Sequence, residues 1–134
     1  MKKVKGFLIR KEWLEKEIKI KVVEFDRDDY KELYKLIECD CFEHATRKIG
    51  NKYYDFWFDE EYLLKDYKAT HITAICMNYE EMIFGNLLIT NTEEGEITTL
   101  TNEDIINIQN NIKVYIASYL EKEIYPKYLL TYSL

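Results

Sequence analysis

Cys39-Asp40-Cys41-Phe42-Glu43-His44-Ala45-Thr46-Arg47-Lys48-Ile49, then Gly50-Asn51, then Lys52-Tyr53-Tyr54-Asp55-Phe56-Trp57-Phe58-Asp59: two strand-like runs meet at a two-residue reversal. A Gly-Asn loop suits the hairpin turns that need positive φ. It fixes a register with Ile49 opposite Lys52, Arg47 opposite Tyr54 and Ala45 opposite Phe56. The alternate positions pair Lys48 with Tyr53, Thr46 with Asp55 and His44 with Trp57. The first set, joined by Cys41 and Phe58, is the more apolar and is expected to face the core. The second set, Phe42, His44, Thr46, Lys48, Tyr53, Asp55 and Trp57, is then expected to face outward. A slip of one residue would exchange the two sets, so the assignment depends on the turn.

Working outward, Tyr30, Leu33, Tyr34, Leu36 and Ile37 recur at helical spacing behind Asp28 or Asp29 as N-cap, which predicts a helix to about Glu38. Ile18, Ile20 and Val22 alternate with lysines as in a strand. Val23 breaks the phase, predicting either a bulge or a strand covered on both faces. Residues 1–16 read as an N-terminal extension in which Phe7-Leu8-Ile9 makes a short strand and Arg10 to Glu17 a helical turn. After the hairpin, Ile72, Ala74 and Cys76 predict a strand. Met82 to Thr90 predicts a central strand in which Gly85 marks close packing or a bulge, and Glu96 to Leu100 a short strand.

Thr101, with Asp104 three residues on, approximates a capping box. Ile105, Ile108, Ile112, Ile116, Tyr119 and Ile124 follow on one stripe, which predicts a long helix over 101–125. It is expected to pack on the sheet. Its last turns, with Tyr115, Tyr119, Tyr125 and Tyr128, are a second possibility for a homodimer contact. The expected fold is α+β: one domain over 1–134, a mostly antiparallel sheet with a central β-hairpin, and one shorter and one long C-terminal helix on one side of it.

The 134 residues suit a single domain, and 47% hydrophobic with 33% charged residues describes a chain able to bury a core. A net charge of −6 supplies no basic excess for phosphates, which argues against nucleic-acid binding and leaves a basic partner open. Three cysteines suggest no disulfide framework. The first residues hold an apolar run too short for a secretion signal, and no stretch has the length of a membrane span, so a cytoplasmic location is expected.

Cys39, Cys41, Glu43 and His44 are zinc-ligand types, but on a strand Cys39 and Cys41 share one face and His44 sits on the other. His71 and Cys76 offer a fourth ligand by type only. Buried structural cysteines are the better reading, and no metal or cofactor is expected. Cys41 with His44 as nucleophile and base meets the same objection, and His71 has no nucleophile motif around it. Asp55, Asp59, Glu60 and Glu61 read as a solvated turn. The outward hairpin face carries the strongest signal: His44, Lys48, Tyr53, Asp55 and Trp57 have the composition of a binding surface, the alternative being a face covered by the N-terminal extension or another strand.

Several stretches in order resemble the family catalogued as the domain of unknown function DUF3846: Leu36-Ile37 with Cys39-Asp40, Arg47-Lys48-Ile49-Gly50, Lys52-Tyr53-Tyr54-Asp55, Asp59-Glu60 with Leu63-Leu64-Lys65, Gly85-Asn86-Leu87-Leu88-Ile89 and Leu100-Thr101-Asn102-Glu103-Asp104-Ile105. The likeness spans roughly residues 18–109. It lacks the glycine the family has after the acidic pair. The resemblance implies a stand-alone α+β module of bacteria, phages and mobile elements, with no established activity. A small non-catalytic binding protein with an unknown protein or small-molecule partner is expected, an accessory or defence-modulating factor of a phage or mobile element. A small enzyme or nucleotide- or metal-handling protein using the Cys39, Cys41 and His44 region or His71 is the alternative.

Overall fold

The structure, a computed structural model, describes residues 3–11, 18–37, 43–59, 71–76, 82–120 and 123–130. In chain order the elements are β1 (Lys3–Lys11), β2 (Ile18–Asp26), α1 (Tyr30–Ile37), β3 (Glu43–Ile49), β4 (Lys52–Phe58), β5 (His71–Cys76), β6 (Met82–Phe84), β7 (Leu87–Glu93), β8 (Glu96–Thr98), α2 (Asn102–Asn111), β9 (Lys113–Leu120) and β10 (Glu123–Leu130). Among the described residues, one sheet runs β2-β1-β7-β4-β3 with β8 also paired to β7, and a second runs β10-β9-β5-β6. Their strand pairs are antiparallel.

The first sheet is covered on both faces. Phe7 and Ile9 of β1 point into a cluster with Tyr54, Phe56, Ile89, and Ile108 and Ile112 from the α2 side. Leu8, between them, points the other way, into a cluster with Phe25, Trp57, Leu88, and Leu33 and Ile37 of α1. Period-two alternation makes one strand serve both layers. The helices therefore lie on opposite faces and not on one side. Ile83 of β6 and Val114 of β9 join the α2-side cluster, so the second sheet closes on that face too.

The hairpin forms with the expected register, from Ile49 opposite Lys52 to His44 opposite Trp57. It is not central: β3 ends the path of the sheet and β4 lies one strand in. Gly50 has φ +63°, and a Cβ there would collide with the side-chain oxygen of Asn107. Gly50→Ala is thus expected to cost about 2 kcal/mol or more in urea unfolding, from left-handed strain plus the collision.

Residues 1–16, read as an extension, contribute a strand buried between β2 and β7, with Phe7, Leu8 and Ile9 all sealed from solvent. β2 runs through Val23 with unbroken register, which is the both-faces alternative and not the bulge. The predicted strand at Met82 to Thr90 is two strands in different sheets, parted at Gly85, whose φ of +93° turns the chain.

The long C-terminal helix does not form. α2 stops at Asn111, and Ile112 is already extended at φ −118°, ψ 153°. Asn111 turns its amide back onto the Asn107 carbonyl at 2.8 Å, a competition typical of asparagine near helix ends. The chain then continues as β9 and β10. The misleading signal was Ile108, Ile112 and Ile116: a spacing of four satisfies helical and two-residue periods alike. The homodimer expected through that helix loses the element it needed.

Candidate functional site

α1 covers only part of its face of the sheet. Where it stops, His44, Thr46, Asp55 and Trp57 of the hairpin's second set form a floor. His44 lies flat on Trp57, ring centroids 4.5 Å apart at 20°. The His44 Nε2 meets Asp55 Oδ1 at 2.8 Å, and the Thr46 hydroxyl donates to the same oxygen at 2.9 Å. The indole Nε1–H of Trp57 donates to Thr90 Oγ1 at 2.9 Å. These contacts follow from the register, which sets His44 opposite Trp57 and Thr46 opposite Asp55. With a carboxylate at Nε2, that nitrogen carries the proton, and in a neutral ring Nδ1 is the acceptor.

Two walls complete a groove of about 400 Å³. The turn from β2 into α1 gives Arg27, Asp28 and Tyr30, and the β7–β8 hairpin gives Thr92, Glu96 and Ile97. That hairpin turns through Glu94 (φ 52°) and Gly95 (φ 80°). Arg27 ties the walls together, its Nη2 3.2 Å from Glu96 and its Nη1 donating to the Ile97 carbonyl at 3.2 Å.

His44, Asp55 and Trp57 are thus brought together, but Trp57 and Asp55, expected to face outward, are largely covered. Trp57 is 9% exposed and Asp55 4%. The cause is α1, whose apolar stripe takes the Trp57 ring into its own cluster. Lys48 and Tyr53 sit further along the face toward Gly50, outside the groove lining, with the Lys48 ammonium 5.9 Å from the centre of the exposed Tyr53 ring. Asp59, read as part of a solvated turn, is buried; Glu60 and Glu61 lie outside the described residues. So do Cys39 and Cys41 and the side chains of His71 and Cys76. Among the described residues no group of three or more His, Cys, Asp or Glu is arranged to hold a metal. Arg27, Tyr30, Thr92 and Glu96 were not anticipated. In the sequence Tyr30 reads only as part of a helix and Glu96 only as the start of a short strand, and only the sheet order brings these residues to one place.

The opposite face holds a second polar assembly, with a different role. Asp104 Oδ1 accepts from Lys52 Nζ at 2.8 Å and Tyr54 OH at 2.9 Å. Its Oδ2 accepts from Asn91 Nδ2 at 2.7 Å and from the backbone N–H and hydroxyl of Thr101, each at 2.9 Å. The capping box is complete, with both arms made by Thr101 and Asp104. Burial alone would raise the Asp104 carboxyl, but hydrogen bonds from Lys52, Thr101, Asn91 and Tyr54 outweigh it and hold the group well below the usual carboxylate range. Burial and the neighbouring Asp104 push Tyr54 up to about 12, although Asn107 donates to its oxygen. This knot fastens α2 to β4 and β7.

No helix among the described residues is long and apolar enough to cross a membrane. Comparisons with curated proteins and with solved structures return no match. The model of one family, the domain of unknown function DUF3846, matches residues 10–113, and the chain, three-quarters covered and joined by β1 into one sheet with the rest, belongs to that family.

Proposed function

We propose that this protein is a non-catalytic binding protein of the cytoplasm, an accessory or defence-modulating factor of a phage or mobile element, and that its contact site is the groove on the α1 face. The stacked His44–Trp57 pair on a buried Asp55 carries the reading. It is a rigid aromatic floor with fixed polar groups, in a space of about 400 Å³ that falls within the range of small-ligand and side-chain pockets. The mobile-element association rests on the family resemblance.

A second reading, a small enzyme, is favoured by the His44–Asp55 pair, since a carboxylate on one imidazole nitrogen orients the other as a base. No serine or cysteine lines the groove among the described residues, and the Thr46 hydroxyl already donates to Asp55.

Capture from a bacterial lysate, with mass spectrometry of what is retained, tests the site. Thr92→Trp, at an exposed position of the groove wall, should plug it and lose the captured species. Ile106→Ala, exposed on α2 across the sheet, should retain it. Equal retention by both variants would remove the groove as the contact site, and chemical conversion of the retained species would establish the enzyme reading.

A further inference from the structure

We propose that the groove takes an arginine side chain of a partner peptide; this rests on the groove being the contact site. Both bonds to the Asp55 carboxylate end on Oδ1, from His44 and Thr46. Oδ2 has no hydrogen-bond partner among the described residues, while the side chain is only 5% accessible and lines the groove. An oxygen of a largely buried carboxylate that still opens on the groove is the acceptor a ligand donor would reach in place of water.

The charge balance selects a cation. Arg27 spends Nη2 on Glu96 and Nη1 on the Ile97 carbonyl, and its Nε, 4.0 Å from Asp28, is sealed from solvent, so the guanidinium is committed within the walls and is not presented to a ligand anion. Asp28, 73% exposed at the rim and 4.0 Å from Arg27 Nε, shares that one cation with Glu96, so with Asp55 the carboxylates of the lining outnumber its guanidinium. The aromatic groups select a guanidinium over an ammonium. His44 has one ring face on Trp57 and is still 44% exposed, and Tyr30 stands exposed on the wall. A planar guanidinium stacks on such faces while its edge donates to carboxylates, whereas an ammonium is a compact point charge. The chain's net charge of −6 attracts a basic partner at longer range.

Isothermal titration of the whole chain with blocked Gly-Arg-Gly, Gly-Lys-Gly, Gly-citrulline-Gly and Gly-Glu-Gly peptides tests this. The arginine peptide should bind saturably, at about millimolar or tighter, and shift the Trp57 indole N–H resonance. Lysine should bind about threefold or more weakly, and citrulline and glutamate should not bind. Asp55→Asn should lower affinity about tenfold. Because that change also disturbs His44, Asp28→Asn and Tyr30→Ala, both at exposed positions, provide the second check and should each cost about threefold in affinity while the chain still unfolds in one cooperative thermal transition. Citrulline or lysine binding as well as arginine would overturn the assignment, as would indifference to both exposed variants. Binding of the glutamate peptide alone, or of none while Thr92→Trp still abolishes lysate capture, would overturn the arginine assignment and leave the groove as the site.

Discussion

A chain lacking residues 1–11 is expected not to fold. β1 lies between β2 and β7 and gives the sheet Phe7, Leu8 and Ile9, which are sealed from solvent, and Val4, which is nearly so. Each large apolar side chain contributes about 1.5–3 kcal/mol by burial, so their sum approaches the 5–15 kcal/mol of a whole domain. The loss falls on both layers at once, because Leu8 serves the α1 side and its neighbours the α2 side. The backbone also loses the Leu100 N–H bond to the Lys5 carbonyl, 3.0 Å, and the Thr99 hydroxyl bond to the Lys5 N–H, 2.8 Å. Collapsed amide dispersion in a ¹H–¹⁵N spectrum and no cooperative thermal transition are the expected results. A truncated chain melting at the wild-type temperature would show that β1 is dispensable.

Asp104→Ala is expected to destabilise the fold by about 3–5 kcal/mol, since breaking a buried charged network strands its partners. Tyr54 OH and the Thr101 N–H lose their acceptor, and the Asn91 amide keeps only the Thr99 carbonyl. The pH dependence follows in sign. A carboxyl whose folded value lies below its unfolded one binds fewer protons in the native state. It therefore stabilises above the unfolded value of about 4, and the contribution is lost as pH falls from there through the folded value. The stability gap between wild type and Asp104→Asn, measured by urea unfolding, should be full at pH 7 and narrow steadily below about pH 4. A gap that stays constant to pH 2 would show that Asp104 is not held as a carboxylate by the knot.

The local grammar of the chain was legible. Gly50-Asn51 gave turn, register and face pattern together, and Thr101 with Asp104 gave the start of α2. What failed was long-range. Nothing in Phe7-Leu8-Ile9 says that its partners are β7 and the far layer, because a continuous apolar run looks the same at an edge and in a core. The helix expected over 101–125 failed because isoleucines four apart satisfy two periods, and the β-branched run after Asn111 prefers the extended one. The candidate site was half legible for the same reason. His44, Asp55 and Trp57 sit on one hairpin and could be paired from the turn, whereas Arg27, Tyr30 and Glu96 come from elements whose adjacency only the sheet order sets.

The bond between Lys5 and Thr99 closes 94 residues of chain. β1 thus waits for a partner synthesised 94 residues later, and contact order of this kind slows folding. On the ribosome, β1 and β2 emerge as a two-stranded ribbon with apolar groups on both sides and only one pairing edge used. Until β7 is available to it, that ribbon has an open edge and bare apolar faces, the features that make a folding intermediate prone to aggregate.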